Sequence, residues 1–158
     1  MNNEENLYFE INSQGNLLKI ETLNQVYENS DLDWDNNWIK CKIYVSGGVF
    51  SGNYFAELQT VDFEKFKCDI NSLYENLNGV IEFNDLEGYV NIEIKGDGIG
   101  HFKCITTCED FPGINSATLS FEIDFDQTYI KKIVYQLNEI TKKFPIKGNY
   151  TIQNNYNI

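Results

Sequence analysis

The sequence contains no arginine, only one histidine and no long apolar run. Its 12 basic residues are all lysines and stand against 24 aspartates and glutamates, for a formal net charge of −12. Proteins that grip a phosphate backbone do so with clustered lysine and arginine, so direct nucleic-acid binding is not expected. No stretch approaches the roughly 18 apolar residues of a membrane span, and no membrane association is expected. The amino terminus, MNNEENLYFE, is acidic and has neither a basic n-region nor an apolar h-region, so no secretory signal is visible. A cytoplasmic location follows as the expectation, with Cys41, Cys68, Cys104 and Cys108 kept reduced. The lone His101 would have to serve every scheme of metal binding or nucleophile activation.

What the chain does have is 158 residues, 42% of them hydrophobic and 15% aromatic, enough to bury a core. With no linker and no internal sequence repeat, a single α+β domain is expected over residues 1–147, followed by an Asn-rich tail over 148–158. Leu7, Phe9 and Ile11 alternate with Tyr8 and Glu10 as in a strand. Ile39, Cys41, Ile43 and Val45 alternate with Trp38, Lys40, Lys42 and Tyr44 before Ser46-Gly47-Gly48. The return strand sets Phe50, Tyr54, Ala56 and Leu58 on one face, so the pair reads as a hairpin.

Thr60 is placed to cap a helix whose apolar stripe is Phe63, Phe66, Ile70, Leu73 and Leu77, ended by Asn78-Gly79. Alternation then returns at Ile81 and Phe83, at Val90, Ile92 and Ile94, at Phe102 and Cys104, and at Leu119, Phe121, Ile123 and Phe125. Residues 84–88 form a turn between the first two of these runs. Asp126 is placed to cap a second helix striped by Ile130, Ile133, Leu137, Ile140 and Phe144, which Pro145 stops. The predicted fold class is α+β, with a largely antiparallel sheet and two amphipathic helices packed on one face.

The stretch GDGIGHFKCITTCED, residues 96–110, concentrates the residues with chemical potential. Its glycines alternate and a strand pattern follows, whereas a dinucleotide fingerprint needs G-x-G-x-x-G between a strand and a helix. Cys104 and Cys108 have C-x-x-x-C spacing, and His101 falls on the strand face opposite Cys104, which does not assemble a zinc quartet. A Cys108–His101 dyad requires the chain to fold back beyond the strand. Glu122, Asp124 and Asp126 share a strand face, with neighbours about 7 Å apart, a carboxylate spacing that glycosidases use but that any half-exposed strand also displays. No catalytic residue, metal or cofactor is therefore expected.

A denser cluster lies at Glu28-Asn29-Ser30-Asp31-Leu32-Asp33-Trp34-Asp35-Asn36-Asn37-Trp38, which has neither strand nor helix period. Aromatic side chains among acids suit contact with a basic partner, and Asp31, Asp33, Trp34 and Asp35 are the first candidates, with Glu109 and Asp110 as a second patch.

The order Asp35-Asn36-Asn37-Trp38-Ile39, Phe50-Ser51-Gly52, Leu86-Glu87-Gly88 and Gly96-Asp97-Gly98-Ile99-Gly100-His101 is similar to that of the bacterial WapI-type immunity proteins. So are residues 108–114, CEDFPGI, and 125–130, FDQTYI, and the resemblance spans roughly residues 7 to 145. It implies a cytosolic antidote that binds a cognate toxin domain, commonly a nuclease, and blocks it, with no catalytic residues of its own. The −12 charge fits a basic partner. A non-enzymatic small-molecule-binding or regulatory protein-interaction domain is the alternative.

Overall fold

The computed structural model describes residues 4–148. It contains β1 (Tyr8–Ser13), β2 (Asn16–Gln25), β3 (Trp38–Gly47), β4 (Phe50–Gln59), α1 (Thr60–Asn76), β5 (Asn78–Asn84), β6 (Val90–Asp97), β7 (His101–Glu109), β8 (Thr118–Asp126) and α2 (Gln127–Lys143). The order ββββα thus occurs twice. Most of the expected Asn-rich tail, residues 149–158, lies outside the described residues.

The fold is α+β and antiparallel, as expected, but its strands divide into two four-stranded sheets, β1-β2-β3-β4 and β5-β6-β7-β8. The division follows from α1. It carries the chain away from β4, and β5 pairs with β6 instead of extending the first ladder. Alternation in the sequence marks which residues lie in strands and is silent on which strands pair.

The β3–β4 hairpin has a two-residue turn, Gly48-Val49, with Gly47 opposite Phe50 and Gly48 at φ +62°. Its register puts Ile39 opposite Leu58, Cys41 opposite Ala56 and Ile43 opposite Tyr54, so one face of the pair is buried. Phe50 is on that same face, yet at the hairpin turn it is 67% exposed.

β2 was not marked by the sequence pattern, since its alternation runs through a polar residue. Thr22 is fully buried there, its hydroxyl donating to the Leu7 carbonyl at 2.9 Å, and a register shift follows between Thr22 and Asn24.

α1 buries Phe63, Phe66, Ile70 and Leu73. Two details differ from expectation. The N-cap is Gln59, with Thr60 already helical, and Leu77 is the left-handed C-cap at φ +59° instead of the last stripe residue. In α2 the expected start and stop hold: the Asp126 side chain accepts from the Thr128 amide, and the helix ends at Lys143, two residues before Pro145, which makes Phe144 the C-cap instead of the last stripe residue.

Both sheets and both helices contribute to one buried apolar cluster. At its centre Phe9 of β1, Phe63 and Phe66 of α1 and Phe83 of β5 stand with ring centroids 5.5 to 6.2 Å apart. These four rings join the first sheet, the first helix and the second sheet, and truncating any one should cost about 3–5 kcal/mol. Among the described residues no helix is long and apolar enough to cross a membrane.

Candidate partner-binding surface

The glycine-rich stretch is a structural junction. Asp97 accepts from the Ile99 amide at 2.8 Å and the His101 amide at 3.1 Å, and its second oxygen lies 3.0 Å from His101 Nδ1. Those donors, the Ile99 amide foremost, hold the Asp97 carboxyl below its ordinary range. Gly98 donates to the Leu77 carbonyl at 2.8 Å, which ties the turn to the end of α1, and Gly100 accepts from the Gln127 amide at 2.9 Å, which ties it to the start of α2. A Cβ on Gly96 would collide with the Leu77 carbonyl oxygen. Both the glycines and the aspartate are needed for this crossing of backbones.

The sulfur chemistry is equally constrained. His101 is exposed and Cys104 fully buried, on opposite faces of β7. Cys108 belongs to β7 too and does not fold back, so seven residues of extended strand, on the order of 20 Å, separate it from His101. Burial pushes the Cys104 thiol up to about 12 and the Cys108 thiol up to about 11, which keeps both protonated. Among the described residues no three His, Cys, Asp or Glu side chains gather into a cluster that could hold a metal ion. Of the three alternating carboxylates on β8, Asp126 is committed to the α2 cap and Glu122 lies 3.5 Å from Lys103 Nζ. An open depression of about 760 Å³ near these carboxylates is lined by Lys95, His101, Lys103 and Asp124, with charges of both signs, and by Phe102 and Phe125.

The acidic segment between β2 and β3 is an ordered loop that ends in a short 3-10 turn, Asp35–Asn37. Ser30 and Asn36 clasp each other twice: the Ser30 amide donates to Asn36 Oδ1 and Asn36 Nδ2 donates to the Ser30 carbonyl, both at 2.9 Å. Asn37 is buried and anchors the turn. Its Nδ2 donates to the carbonyls of Asp33 at 2.8 Å and Lys147 at 3.0 Å, while its Oδ1 accepts from the Lys147 amide at 2.8 Å. On this base Asp31, Leu32 and Asp33 are exposed, and Asp35 is half-buried with Oδ2 3.3 Å from the Ser30 hydroxyl. Trp34 is 40% exposed and meets Trp38 edge-on at 6.3 Å between centroids.

The second patch sits on the other sheet, at the β7–β8 connection. Glu109 is the half-buried last residue of β7. Asp110 closes the loop that follows, since its Oδ1 accepts from the Ala117 amide at 2.9 Å, and Phe111 and Ile114 project from it. Asp110 therefore has a structural task in addition to its charge. The two acidic patches belong to different sheets, and each is held by its own hydrogen bonds.

Sequence reasoning missed two groups. The first is the pair Asp62 and Asp85. Asp85 is buried and accepts from the amides of Gly88 at 2.9 Å, Tyr89 at 3.0 Å and Val90 at 2.8 Å. Asp62 Oδ2 is buried without a partner, as are both polar atoms of Gln59. Desolvation, with the Asp85 charge adding to it, raises the Asp62 carboxyl to about 7. A cap-like Asp in the first turn of an apolar-striped helix was the available signal. The second group is the outer face of the first sheet, where Lys40 and Lys42 lie over the Phe55 ring at 5.0 and 5.4 Å. Alternation placed these residues outward and left their mutual stacking unspecified.

Compared with known proteins, the chain matches one family model, that of the immunity protein WapI-like family, over residues 7–145. No curated protein sequence matches it. Its fold is similar to that of WHY1 from Arabidopsis thaliana, at 14% identity and a TM-score of 0.50, covering 92% of this chain and 88% of that one. The plant transcriptional regulator PBF-2 aligns at 13% identity and a TM-score of 0.48, covering 89% and 83%. Trypanosomal MRP1/MRP2 aligns at 12% and 0.47, covering 89% of each. At these identities the likeness is one of fold alone.

Proposed function

The chain belongs to the immunity protein WapI-like family, and from that membership we propose that it binds and neutralises the toxic carboxy-terminal domain of a contact-dependent or polymorphic bacterial toxin. The match over residues 7–145 carries this reading, because it takes in both sheets and both helices. The toxin is a nuclease in this proposal. A nuclease is basic where it grips phosphates, and a partner of net charge −12 with no arginine complements such a surface. Inhibition requires no chemistry from the antidote, so the chain acts without catalysis, in the cytoplasm where the toxin would reach its substrate.

The interface proposed is the loop of Asp31, Asp33, Trp34 and Asp35, with Glu109 and Asp110 as a separate acidic patch. Its support is that exposed Asp31 and Asp33 and half-buried Asp35 share with a partly exposed indole a loop whose base is fixed by Asn37. A preorganised loop binds with less ordering cost. Mixing the purified chain with the toxin domain encoded by the adjacent gene should give a stoichiometric complex and abolish toxin activity. Full toxicity in the presence of excess folded chain would overturn the reading.

A further inference from the structure

Two sheets have four edges, and in this chain the edges are treated unequally. β1 is covered by α2: the Glu10 amide donates to Gln136, the Asn12 amide donates to the Tyr129 hydroxyl, and that hydroxyl donates to the Glu10 carbonyl. Along β8, the Glu122 carbonyl accepts from Asn16. β5 follows directly from α1, which packs beside it. β4 is ten residues long, and among the described residues no hydrogen bond from another element reaches the backbone of Ser51, Asn53, Phe55 or Glu57.

Those four residues are the ones that matter. A two-residue turn makes Gly47–Phe50 the closing hydrogen-bonded pair, so Phe50, Gly52, Tyr54, Ala56 and Leu58 address β3. The intervening Ser51, Asn53, Phe55 and Glu57 aim their N–H and C=O groups away from the sheet, and all four are exposed. Natural edges are usually blunted by proline, lysine or a bulge. β4 reads FSGNYFAELQ, with no proline or lysine, and its pairing with β3 runs without a register shift. Its single charge is Glu57.

We propose that β4 receives an extended strand of the toxin domain, which adds to the first sheet as a fifth strand. The proposal rests on the toxin-binding reading and specifies the geometry of contact. The occupant is chosen by what borders the edge. β4 ends at Gln59, opposite Trp38, and Trp34 meets Trp38 edge-on, so the acidic loop stands at the same end of the sheet as the end of β4. An added strand would pair its backbone with Ser51 to Glu57, set a side chain beside the Phe55 ring, whose face Lys40 and Lys42 already cover, and present lysine or arginine to Glu57 and the loop.

The test is amide hydrogen exchange read by NMR on the full chain, alone and with the toxin domain encoded by the adjacent gene. The amides of Tyr54 and Ala56 should be slow in both states. Those of Ser51, Asn53, Phe55 and Glu57 should be fast alone and slower by at least about tenfold in the complex. Asn53→Pro removes one outward N–H and should weaken binding at least about tenfold, whereas Asn53→Ala keeps it and should not. If Asn53→Pro does not fold, the exchange data decide. A complex in which the four amides remain fast overturns strand addition and leaves the toxin reading standing. No complex at all overturns both. Protection in the free chain that grows with its concentration would place a second copy on the edge and overturn the proposal too.

Discussion

Asn37 and Lys147 hold each other by two hydrogen bonds, 2.8 Å from the Lys147 amide to Oδ1 and 3.0 Å from Nδ2 to the Lys147 carbonyl. Through this pair the segment after α2 fixes the base of the acidic loop. Asn37→Ala removes a buried side chain together with its bonds to the Lys147 amide and to the Asp33 and Lys147 carbonyls, at a cost of about 1–3 kcal/mol. Chemical denaturation should show that loss. Loop amides 30–36 should also exchange faster in the variant, and unchanged exchange would mean that the loop is ordered by Ser30 and Asn36 alone.

Gly96 offers a second test of the scaffold. A methyl group there would meet the Leu77 carbonyl oxygen, which the Gly98 amide also uses, and neither backbone can yield without opening the turn. Gly96→Ala should therefore destabilise the protein by about 3 kcal/mol or more. Gly52→Ala, where nothing lies within 4 Å, should cost far less in the same melting experiment.

The readable part of this fold was what depends on local periodicity. Ile39 to Val45 and Val90 to Ile94 alternate because one face of each strand is buried, and Asp126 and Pro145 bound α2 by hydrogen bonding and by the missing N–H. Pairing was unreadable, since the same alternation serves one sheet of eight strands or two of four. Polar burial was hidden as well. Thr22 and Asp85 look like surface residues in sequence and are buried because Leu7 and the 88–90 amides reach them. Of the interface candidates, the loop could be marked as exposed and acidic, but its anchorage by a residue 110 positions away could not.

Asp62 predicts a pH dependence. Its folded value of about 7 lies above the ordinary 3.8, so the folded state holds a proton that the unfolded state has released between those values. Any stability gained from this group is fully present below about 3.8 and lost as pH rises through about 7. Asp62→Asn, which keeps an acceptor for the Gln59 amide, should be more stable than the parent at pH 8 by at least about 1 kcal/mol. The gap should narrow at pH 5.5. An equal gap at both values would show that the carboxyl titrates normally.

The proposed interface separates into charge and contact. Asp31 and Asp33 are exposed rim acids, so Asp31→Lys or Asp33→Lys should slow association, with the loss shrinking as salt screens the charges over about 8–10 Å. Trp34 stands on Trp38 and is 40% exposed, so truncation removes a preformed anchor without emptying the core. Trp34→Ala should cost about 2 kcal/mol or more of toxin affinity, expressed mainly as faster dissociation, while the melting temperature stays within a few degrees of the parent. Surface plasmon resonance at two salt concentrations distinguishes the two effects. If the aspartate variants and Trp34→Ala all bind like the parent while folded, the loop is a solvated connection, and the contact must lie along β4 or on the second patch at Glu109 and Asp110.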